Sequence, residues 1–176
     1  EDNPFLGWRG IRYSLSQPRL LLRQLRAVLR ASAHGDVKIM LPMISALHEV
    51  RDAKQVLEAA KQELRARGQE FDEDVPLGVM IETPAAAMIA EELAQEVDFF
   101  SIGSNDLVQY ALAVDRGNDR VAYLYDTFHP AVLRLLERTI KAARKRKRWV
   151  GICGEMAGDP LATLLLVGMG VDELST

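Results

Sequence analysis

A single cysteine among 176 residues leaves this chain unable to form an internal disulfide or a Cys-x-x-Cys metal site. No apolar run approaches the roughly 18 residues that a membrane span requires. The opening stretch EDNPFLGW has neither the basic region nor the apolar segment of a secretory signal peptide. These absences exclude a disulfide scaffold, and they favour a cytoplasmic protein with a lone thiol and no membrane partner.

The net charge and the fraction of charged residues are ordinary for a globular protein. A formal net charge of −3, with 48% hydrophobic and 27% charged residues, excludes a disordered chain and disfavours a nucleic-acid surface. The cluster RKRKR, residues 144–148, is the local exception. It follows the helical pattern AVLRLLERTIKAA, so we interpret it as a solvated helix C-terminus whose cations oppose the negative end of the helix dipole. With neither a repeat nor a linker to divide the chain, we expect one domain, 1–176.

Short apolar, β-branched segments alternate with longer helical patterns. Such segments are typical of parallel strands buried on both faces, either in a doubly wound sheet or in a (β/α) barrel. Five strands are too few for a closed barrel of eight, which takes about 250 residues. We therefore expect an α/β fold that is an incomplete portion of a (β/α)8 barrel of the TIM type, without its first βα units and its end. The predicted strands are VKIMLP (37–42), LGVMIET (77–83), VDFFSIG (97–103), WVGIC (149–153) and VDELS (171–175).

The helical patterns carry recognisable boundary residues. Ser45, Thr83 and His129 are predicted N-caps, and Gly68 is predicted just beyond a helix C-terminus. Proline follows Thr83 and His129 directly, at the first helical position, and a further short helix is predicted from Asp159. The predicted helices cover 18–33, 45–68, 83–95, 129–145 and a short segment from 159 to 170.

Chemically active side chains stand at the ends of three predicted strands. VMIET closes on Glu82, FFSIGSND on Asn105 and Asp106, and GICGE contains Cys153. The carboxyl ends of parallel strands are where such folds place their functional groups, so these residues are the candidate site.

Two carboxylates on neighbouring strand ends would repel each other if both were ionised and unpaired. A Mg²⁺ ion relieves that repulsion, because it is commonly bound by one or two carboxylates together with waters and substrate oxygens. Glu82 and Asp106 are therefore candidate magnesium ligands. The alternative is that each caps a helix N-terminus, where a negative charge is favoured.

Arginines near this site suggest an anionic substrate. Arg116 lies in the turn-forming stretch AVDRGND, and its planar guanidinium can form paired bonds with a phosphate or carboxylate. The alternative is a surface arginine paired with Asp115 or Asp119. Arg9 and Arg12, in NPFLGWRGIR, are either ligand contacts or stacked structural arginines.

Together these stretches resemble the phosphoenolpyruvate-binding domain of enzyme I of the bacterial sugar phosphotransferase system. NPFLGWRGIR, IMLPMI, GVMIETPAA, VDFFSIGSNDLVQYALAVDRGND, HPAVLR and ICGEMAGDP occur in that family's order and at similar spacing, over nearly the whole chain. Phosphoenolpyruvate synthases and pyruvate phosphate dikinases share a looser form of the same motifs. RKRKR is not part of the family pattern.

The resemblance implies a barrel that dimerises, with Mg²⁺ held by Glu82 and Asp106. It implies that Asn105 and Arg116 contact phosphoenolpyruvate, with Arg9 as a further contact. It also implies that Cys153 is the proton donor. A thiol with an ordinary pKa of about 8.5 is mostly protonated at neutral pH, which suits that role. Without the family motif, a lone strand cysteine is more often a buried structural residue.

The implied reaction transfers the phosphoryl group of phosphoenolpyruvate to a histidine in a separate N-terminal domain and releases pyruvate. That domain would pass the group to a small histidine phosphocarrier protein. Because the histidine and further phosphate-binding arginines of the family precede NPFLGWR, this chain alone is expected to be inactive. Four alternatives stay open: the enzyme I of the nitrogen branch, a synthase or dikinase barrel, a module that senses phosphoenolpyruvate or dimerises without turnover, and an unrelated acyl-lyase barrel.

Overall fold

The computed structural model describes residues 2–176. Their strands form one five-stranded parallel sheet. The strands stand side by side in chain order, so each β-to-β crossover steps to the next position in the same direction. A doubly wound sheet would reverse its strand order, whereas this sheet is an open arc, an incomplete portion of a barrel. The strands are β1 (Ile39–Leu41), β2 (Leu77–Ile81), β3 (Phe99–Gly103), β4 (Trp149–Cys153) and β5 (Glu173–Ser175).

Helices connect the strands and cover the outer face of the arc. Among residues 2–176, no helix is both long enough and apolar enough to cross a bilayer. Two 3₁₀ turns, Pro4–Leu6 and Ala122–Leu124, lie in the connections. The helices are α1 (Ile11–Ser16), α2 (Pro18–Ser32), α3 (Leu47–Ala66), α4 (Pro84–Met88), α5 (Ala90–Glu96), α6 (Ser104–Leu112), α7 (Pro130–Lys145), α8 (Glu155–Gly158) and α9 (Pro160–Met169).

The two faces of the sheet differ because side chains alternate along each strand. Val79, Phe100 and Ile152 point outward into the core beneath the helices and are buried. The other face is concave and borders a space of about 420 Å³. That space is lined in part by Met80, Ser101, Trp149, Cys153 and Glu173.

Most of the predicted helix boundaries are confirmed. The side chains of Thr83, His129 and Asp159 each accept a backbone N–H in the first turn of the helix that follows. Gly68 has φ +63°, the left-handed conformation expected just after α3. The predicted N-cap Ser45 is wrong, because α3 begins one residue later.

Glu49 replaces the missing cap of α3. Its carboxylate oxygen Oε2 accepts the backbone N–H groups of Ser45 and Ala46 at 2.7 and 2.8 Å. A carboxylate in the first turn also faces the positive end of the helix dipole. The spacing of Ser45 and Glu49 was visible in the sequence, but which of them satisfies the free N–H groups depends on the local backbone.

The single helix predicted over 83–95 is interrupted. Helices α4 and α5 meet at Ile89, whose backbone angles (φ −103°, ψ 24°) depart from helical values. Arg138 of α7 explains the break. Its Nε and one terminal nitrogen donate to the carbonyl oxygen of Met88 at 3.2 and 2.9 Å, so a partner from another helix takes a carbonyl that a continuous helix would use internally.

The dipeptide Val-Asp precedes β3 and β5 and performs the same task in both places. Asp98 accepts the backbone N–H of Leu77, at the start of β2, at 2.9 Å. Asp172 accepts that of Val150, near the start of β4, at 2.8 Å. Each aspartate thus pins the beginning of the preceding strand, and β3 and β5 begin two residues later than predicted.

The basic cluster 144–148 lies at the end of α7, as predicted. Arg144 donates to the carbonyl oxygen of Gly170 at 2.9 Å. Lys145 and Arg148 form ion pairs with Glu91 and Asp98 at 2.9 and 3.5 Å. These cations therefore attach α7 to its neighbours at the end of the sheet opposite the candidate site.

Candidate functional site

Glu82 and Cys153 come together at the carboxyl ends of three neighbouring strands. Gly103, the last residue of β3, pairs with Cys153 of β4, and Glu82 follows directly after β2. A Cβ on Gly103 would lie 2.9 Å from Cβ of Glu82 and 3.1 Å from its Oε2. The bare glycine therefore lets the Glu82 side chain lie across β3 toward Cys153. The sequence alone gives no indication of this role for Gly103.

Glu82 is 5% exposed and does not cap the helix that follows it. Thr83 caps α4, whereas Oε1 of Glu82 accepts the backbone N–H of Met43 at 2.6 Å. Met43 has φ +58°, so the chain after β1 takes an unusual turn that aims this N–H at the carboxylate. Burial raises the pKa of Glu82, the Met43 hydrogen bond opposes the shift, and the charge of Asp106 adds to it.

Asp106 lies in the first turn of α6 and is 7% exposed. Its Oδ2 accepts a hydrogen bond from Arg9 at 3.1 Å, and its Oδ1 lies 4.0 Å from a guanidinium nitrogen of Arg116. The position fits the helix-capping alternative, but the carboxylate also faces Glu82 and two arginines. The structure thus brings a carboxylate pair and a guanidinium pair to one point.

Arg9 reaches this point from the N-terminal segment and is stacked as well. Its guanidinium carbon lies 5.8 Å from the ring centroid of Phe5, within range of a cation–π contact. Arg12 has a structural task instead, since it donates to the carbonyl oxygens of Leu6 and Gly7 at 3.1 and 3.3 Å. Arg9 is thus stacked and also reaches the candidate site, and its contact with a ligand stays a prediction.

Arg116 is exposed and its ion pair is with Asp106 rather than with the aspartates beside it in sequence. Asn105 is half-buried, and its Oδ1 accepts the backbone N–H of Glu155 at 3.0 Å. This contact leaves the amide NH₂ group of Asn105 available to donate to a ligand. A donor of this kind suits a carboxylate or phosphate oxygen.

Two residues that the sequence analysis missed hold these groups in place. Gln109, 4% exposed, accepts the backbone N–H of Arg116 at its Oε1, 3.2 Å away. Tyr125 donates its hydroxyl to the carbonyl oxygen of Asn105 at 3.3 Å and hydrogen-bonds with Arg116. Gln109 follows Asp106 by three residues, and this helical spacing was a usable signal. Tyr125 comes from a separate turn and gave no such signal.

Cys153 is half-exposed on the concave face. Burial raises the pKa of its thiol, a hydrogen bond with Ser101 opposes the shift, and the charges of Glu82 and Glu173 add to it. These surroundings favour the protonated thiol, whereas a nucleophilic cysteine needs them to favour the thiolate. Cys153 is therefore suited to give up a proton rather than to attack.

The chemistry of this donor set fits a hard divalent cation. Two carboxyl groups in contact are buried together, and burial followed by the charge of Asp106 raises the pKa of Glu82. Oxygen ligands of this kind are those that Mg²⁺ prefers. Among residues 2–176 there is no group of three or more histidine, cysteine, aspartate or glutamate side chains arranged for a metal, so the candidate has two protein ligands.

The chain is similar to a known protein family over its whole length. Residues 1–176 match the family model described as PEP-utilising enzyme, PEP-binding domain. Over 175 residues the chain is 56% identical to the phosphoenolpyruvate-protein phosphotransferase of Haemophilus influenzae and 51% identical to that of Bacillus subtilis. It covers 30% and 31% of these relatives, so it spans about a third of their length.

Solved structures support the fold alone. An HpcH/HpaI aldolase/citrate lyase family protein from Burkholderia cenocepacia is 21% identical with a TM-score of 0.62, covering 90% of this chain and 63% of that protein. A citrate lyase from Burkholderia xenovorans is 23% identical with a TM-score of 0.57, covering 75% and 40%. Because the family model matches every residue of it, the chain belongs to the PEP-binding domain family of the PEP-utilising enzymes.

Proposed function

We propose that this chain is the phosphoenolpyruvate-binding catalytic domain of a phosphoenolpyruvate-protein phosphotransferase, the first component of a phosphotransferase system. The observation that supports this best is the grouping at one rim of carboxylates, arginines and a thiol whose surroundings favour its protonated form. The relatives that carry this name extend well beyond the chain, so the activity belongs to the longer protein. In that protein, a histidine of a separate N-terminal domain accepts the phosphoryl group and passes it to a small histidine phosphocarrier protein.

Each site residue has one task in the proposed reaction. A magnesium ion on Glu82 and Asp106 would supply positive charge opposite the phosphate and the enolate oxygen. Arg116 and Arg9 bind the anionic ends of phosphoenolpyruvate, and Asn105 orients them by donating its amide hydrogens. Phosphoryl transfer depends mainly on such positioning and charge compensation.

Cys153 completes the reaction. When the phosphorus–oxygen bond of phosphoenolpyruvate breaks, the phosphoryl group goes to the histidine and an enolate remains. The S–H bond of Cys153 then breaks, its proton forms the new C–H bond of pyruvate, and the electron pair stays on sulfur as a thiolate. Solvent returns a proton to the thiolate. A thiol with a raised pKa retains its proton until the enolate appears.

The proposal includes a cytoplasmic, homodimeric enzyme, in keeping with the family resemblance. The competing function is a module that binds phosphoenolpyruvate without turnover. A thiol held protonated on the same rim as the carboxylates is a feature that binding alone does not require, so the catalytic function is preferred.

The decisive variant is Cys153→Ala in the full-length protein. General acid catalysis contributes roughly 100-fold or more, so we expect pyruvate formation to fall by at least about 100-fold. Phosphoenolpyruvate binding with Mg²⁺, measured by calorimetric titration, should be retained. Ser175→Ala, next to Cys153 in the β4–β5 register, is the matched control and should keep the wild-type rate. Unchanged pyruvate formation by Cys153→Ala would remove the proton-donor role.

A further inference from the structure

The turn that follows Cys153 is held by another helix rather than by its own. Gly154 lies between Cys153 and α8 as the N-cap residue. Because glycine has no side chain, it cannot accept the free N–H groups of that helix. The first two residues of α6 hold it instead. The hydroxyl of Ser104 donates to the carbonyl oxygen of Cys153 at 2.7 Å, and Oδ1 of Asn105 accepts the N–H of Glu155 at 3.0 Å. The backbone is thus anchored on both sides of Gly154.

The fit around these anchors is tight. Ser104 is 1% exposed. A Cβ on Gly154 would lie 2.5 Å from Oγ of Ser104 and 2.8 Å from Oδ1 of Asn105, closer than atoms can approach. Gly154 also has φ +100°, a conformation that residues with a side chain rarely adopt. Both the space and the backbone conformation therefore require glycine at this position.

A glycine directly after a proton donor leaves the orientation of that donor poorly constrained by the local backbone. Glycine has the widest range of backbone conformations, so the peptide between Cys153 and Gly154 has few local constraints. The β-ladder fixes Cys153 opposite Gly103 and Ser175 on the strand side. The Ser104 hydroxyl fixes the carbonyl on the turn side. Together they set the direction of the bond that carries the thiol.

We propose that Ser104 is a positioning residue that holds the Cys153 thiol against one face of the enolate. This inference rests on the proposed function. Ser104 touches only the backbone of Cys153, whereas Ser101 bonds the thiol itself. Loss of the Ser104 hydroxyl should therefore change the direction in which the thiol points. A misplacement of about 1 Å can cost on the order of 100-fold in rate.

The test measures which face of the enolate receives the proton, in the full-length protein. Phosphoenolpyruvate with deuterium at one C3 position, turned over in tritiated water, gives pyruvate with a chiral methyl group if a single face is protonated. We expect Ser104→Ala to lower the rate of pyruvate formation about tenfold and to lose most of the enantiomeric excess. The KM for phosphoenolpyruvate should change less than about twofold, because phosphate and metal contacts remain.

Two further serine variants, one conservative and one a control, complete the test. Ser104→Thr retains a hydroxyl donor and should keep the enantiomeric excess, so a folded threonine variant that loses the excess overturns the proposal even if the alanine variant does not fold. Ser32→Ala is the matched control, because it also removes a hydroxyl that donates to a backbone carbonyl, at the far end of the sheet. It should match the wild type in rate and excess.

Two results for the Ser104→Ala protein would overturn the inference. A Ser104→Ala protein with the wild-type rate and excess overturns the inference. So does one that loses rate with its excess intact, since this pattern indicates a general structural effect. The Cys153→Ala protein tests the proposed function separately, because wild-type rate and excess in that variant would overturn the proton-donor role that the proposed function assigns to Cys153.

Discussion

Among the site residues, Cys153 depends most on its immediate surroundings. Judged from the sequence alone, a lone cysteine at the end of a strand can have either a structural or a reactive role. The concave face leaves it half-exposed, while burial and two nearby carboxylates favour its neutral form. The thiol is thus accessible while its surroundings favour the protonated form, which is the combination that a general acid requires.

The protonated state can be measured by alkylation with iodoacetamide. Only the thiolate reacts, so the rate follows the pKa, and Cys153 is the only cysteine of the 176 residues. Because the folded protein raises this pKa, the rate should level off at a higher pH in the folded chain than in the same chain unfolded in urea. A folded protein that levels off at the same or a lower pH would contradict this expectation.

At the scale of helices, three helix ends share one backbone conformation, but their residues do not suit it equally. Helices α3, α7 and α9 each end with a residue in the left-handed conformation, at Gly68, Lys147 and Gly170. At α7, the N–H of Lys147 donates to Arg144 and that of Arg148 to Ala143, the pattern of a Schellman motif. Glycine adopts this conformation without strain, whereas lysine does not.

Lys147→Gly should therefore stabilise the protein. Relief of the left-handed strain outweighs the extra chain entropy of glycine, and the expected gain is about 0.5–1 kcal/mol. Gly68→Ala is the matched opposite, because a Cβ there meets nothing within 4 Å and only the backbone conformation is affected. It should lose about 1 kcal/mol. Urea unfolding of the three proteins measures both changes, and equal signs would refute the explanation.

At the scale of the whole molecule, the site joins distant parts of the chain. Arg9 and Asp106 are 97 residues apart in sequence and form a partly buried ion pair. Tyr110 of α6 donates its hydroxyl to the carbonyl oxygen of Phe5, so the N-terminal segment is attached to α6 at a second point. Ligands that bind between these parts should stabilise the complete fold.

Glu82→Gln tests this coupling. In the full-length protein with saturating Mg²⁺, phosphoenolpyruvate at 100 times its dissociation constant should add about 2.7 kcal/mol of stability over Mg²⁺ alone, seen as a higher Tm. The variant should lose most of that gain, because an amide is a poor magnesium ligand. Without ligands it should be at least as stable as the wild type, since it removes a buried charge and can still accept the Met43 N–H.

Glu49→Gln provides the control for this experiment. Glu49 is also a buried glutamate that accepts backbone N–H groups, but it caps α3 outside the site. It should keep the full stabilisation by ligands. Equal ligand stabilisation in the Glu82 and Glu49 variants would show that Glu82 is not a magnesium ligand.

The sequence alone predicted all five strands, the main helices and the rim on which the site lies. Apolar runs and capping residues are local signals, and parallel strands place their carboxyl ends on one edge whatever the details of packing. Glu82, Asp106 and Cys153 could be named for that reason. The family motifs then supplied the roles of Asn105, Arg116 and Arg9, which the structure brings close together but which remain predictions.

Other features depended on contacts between residues far apart in sequence. The break between α4 and α5 follows from Arg138, and the closeness of Glu82 to Cys153 follows from the absence of a side chain at Gly103. The link between Ser104 and Cys153 spans 49 residues. Local patterns carry no record of such contacts, because they are decided by how the strands pair and which side chains then meet.

For Cys153 itself, the sequence determined its place at the end of a buried strand and at the rim of the sheet. Only the tertiary structure decided its chemistry. Its exposure, the carboxylates that keep it neutral and the serine that anchors its carbonyl all come from neighbouring elements, and a pKa or a bond direction is set by the atoms nearby in space rather than by those nearby in sequence.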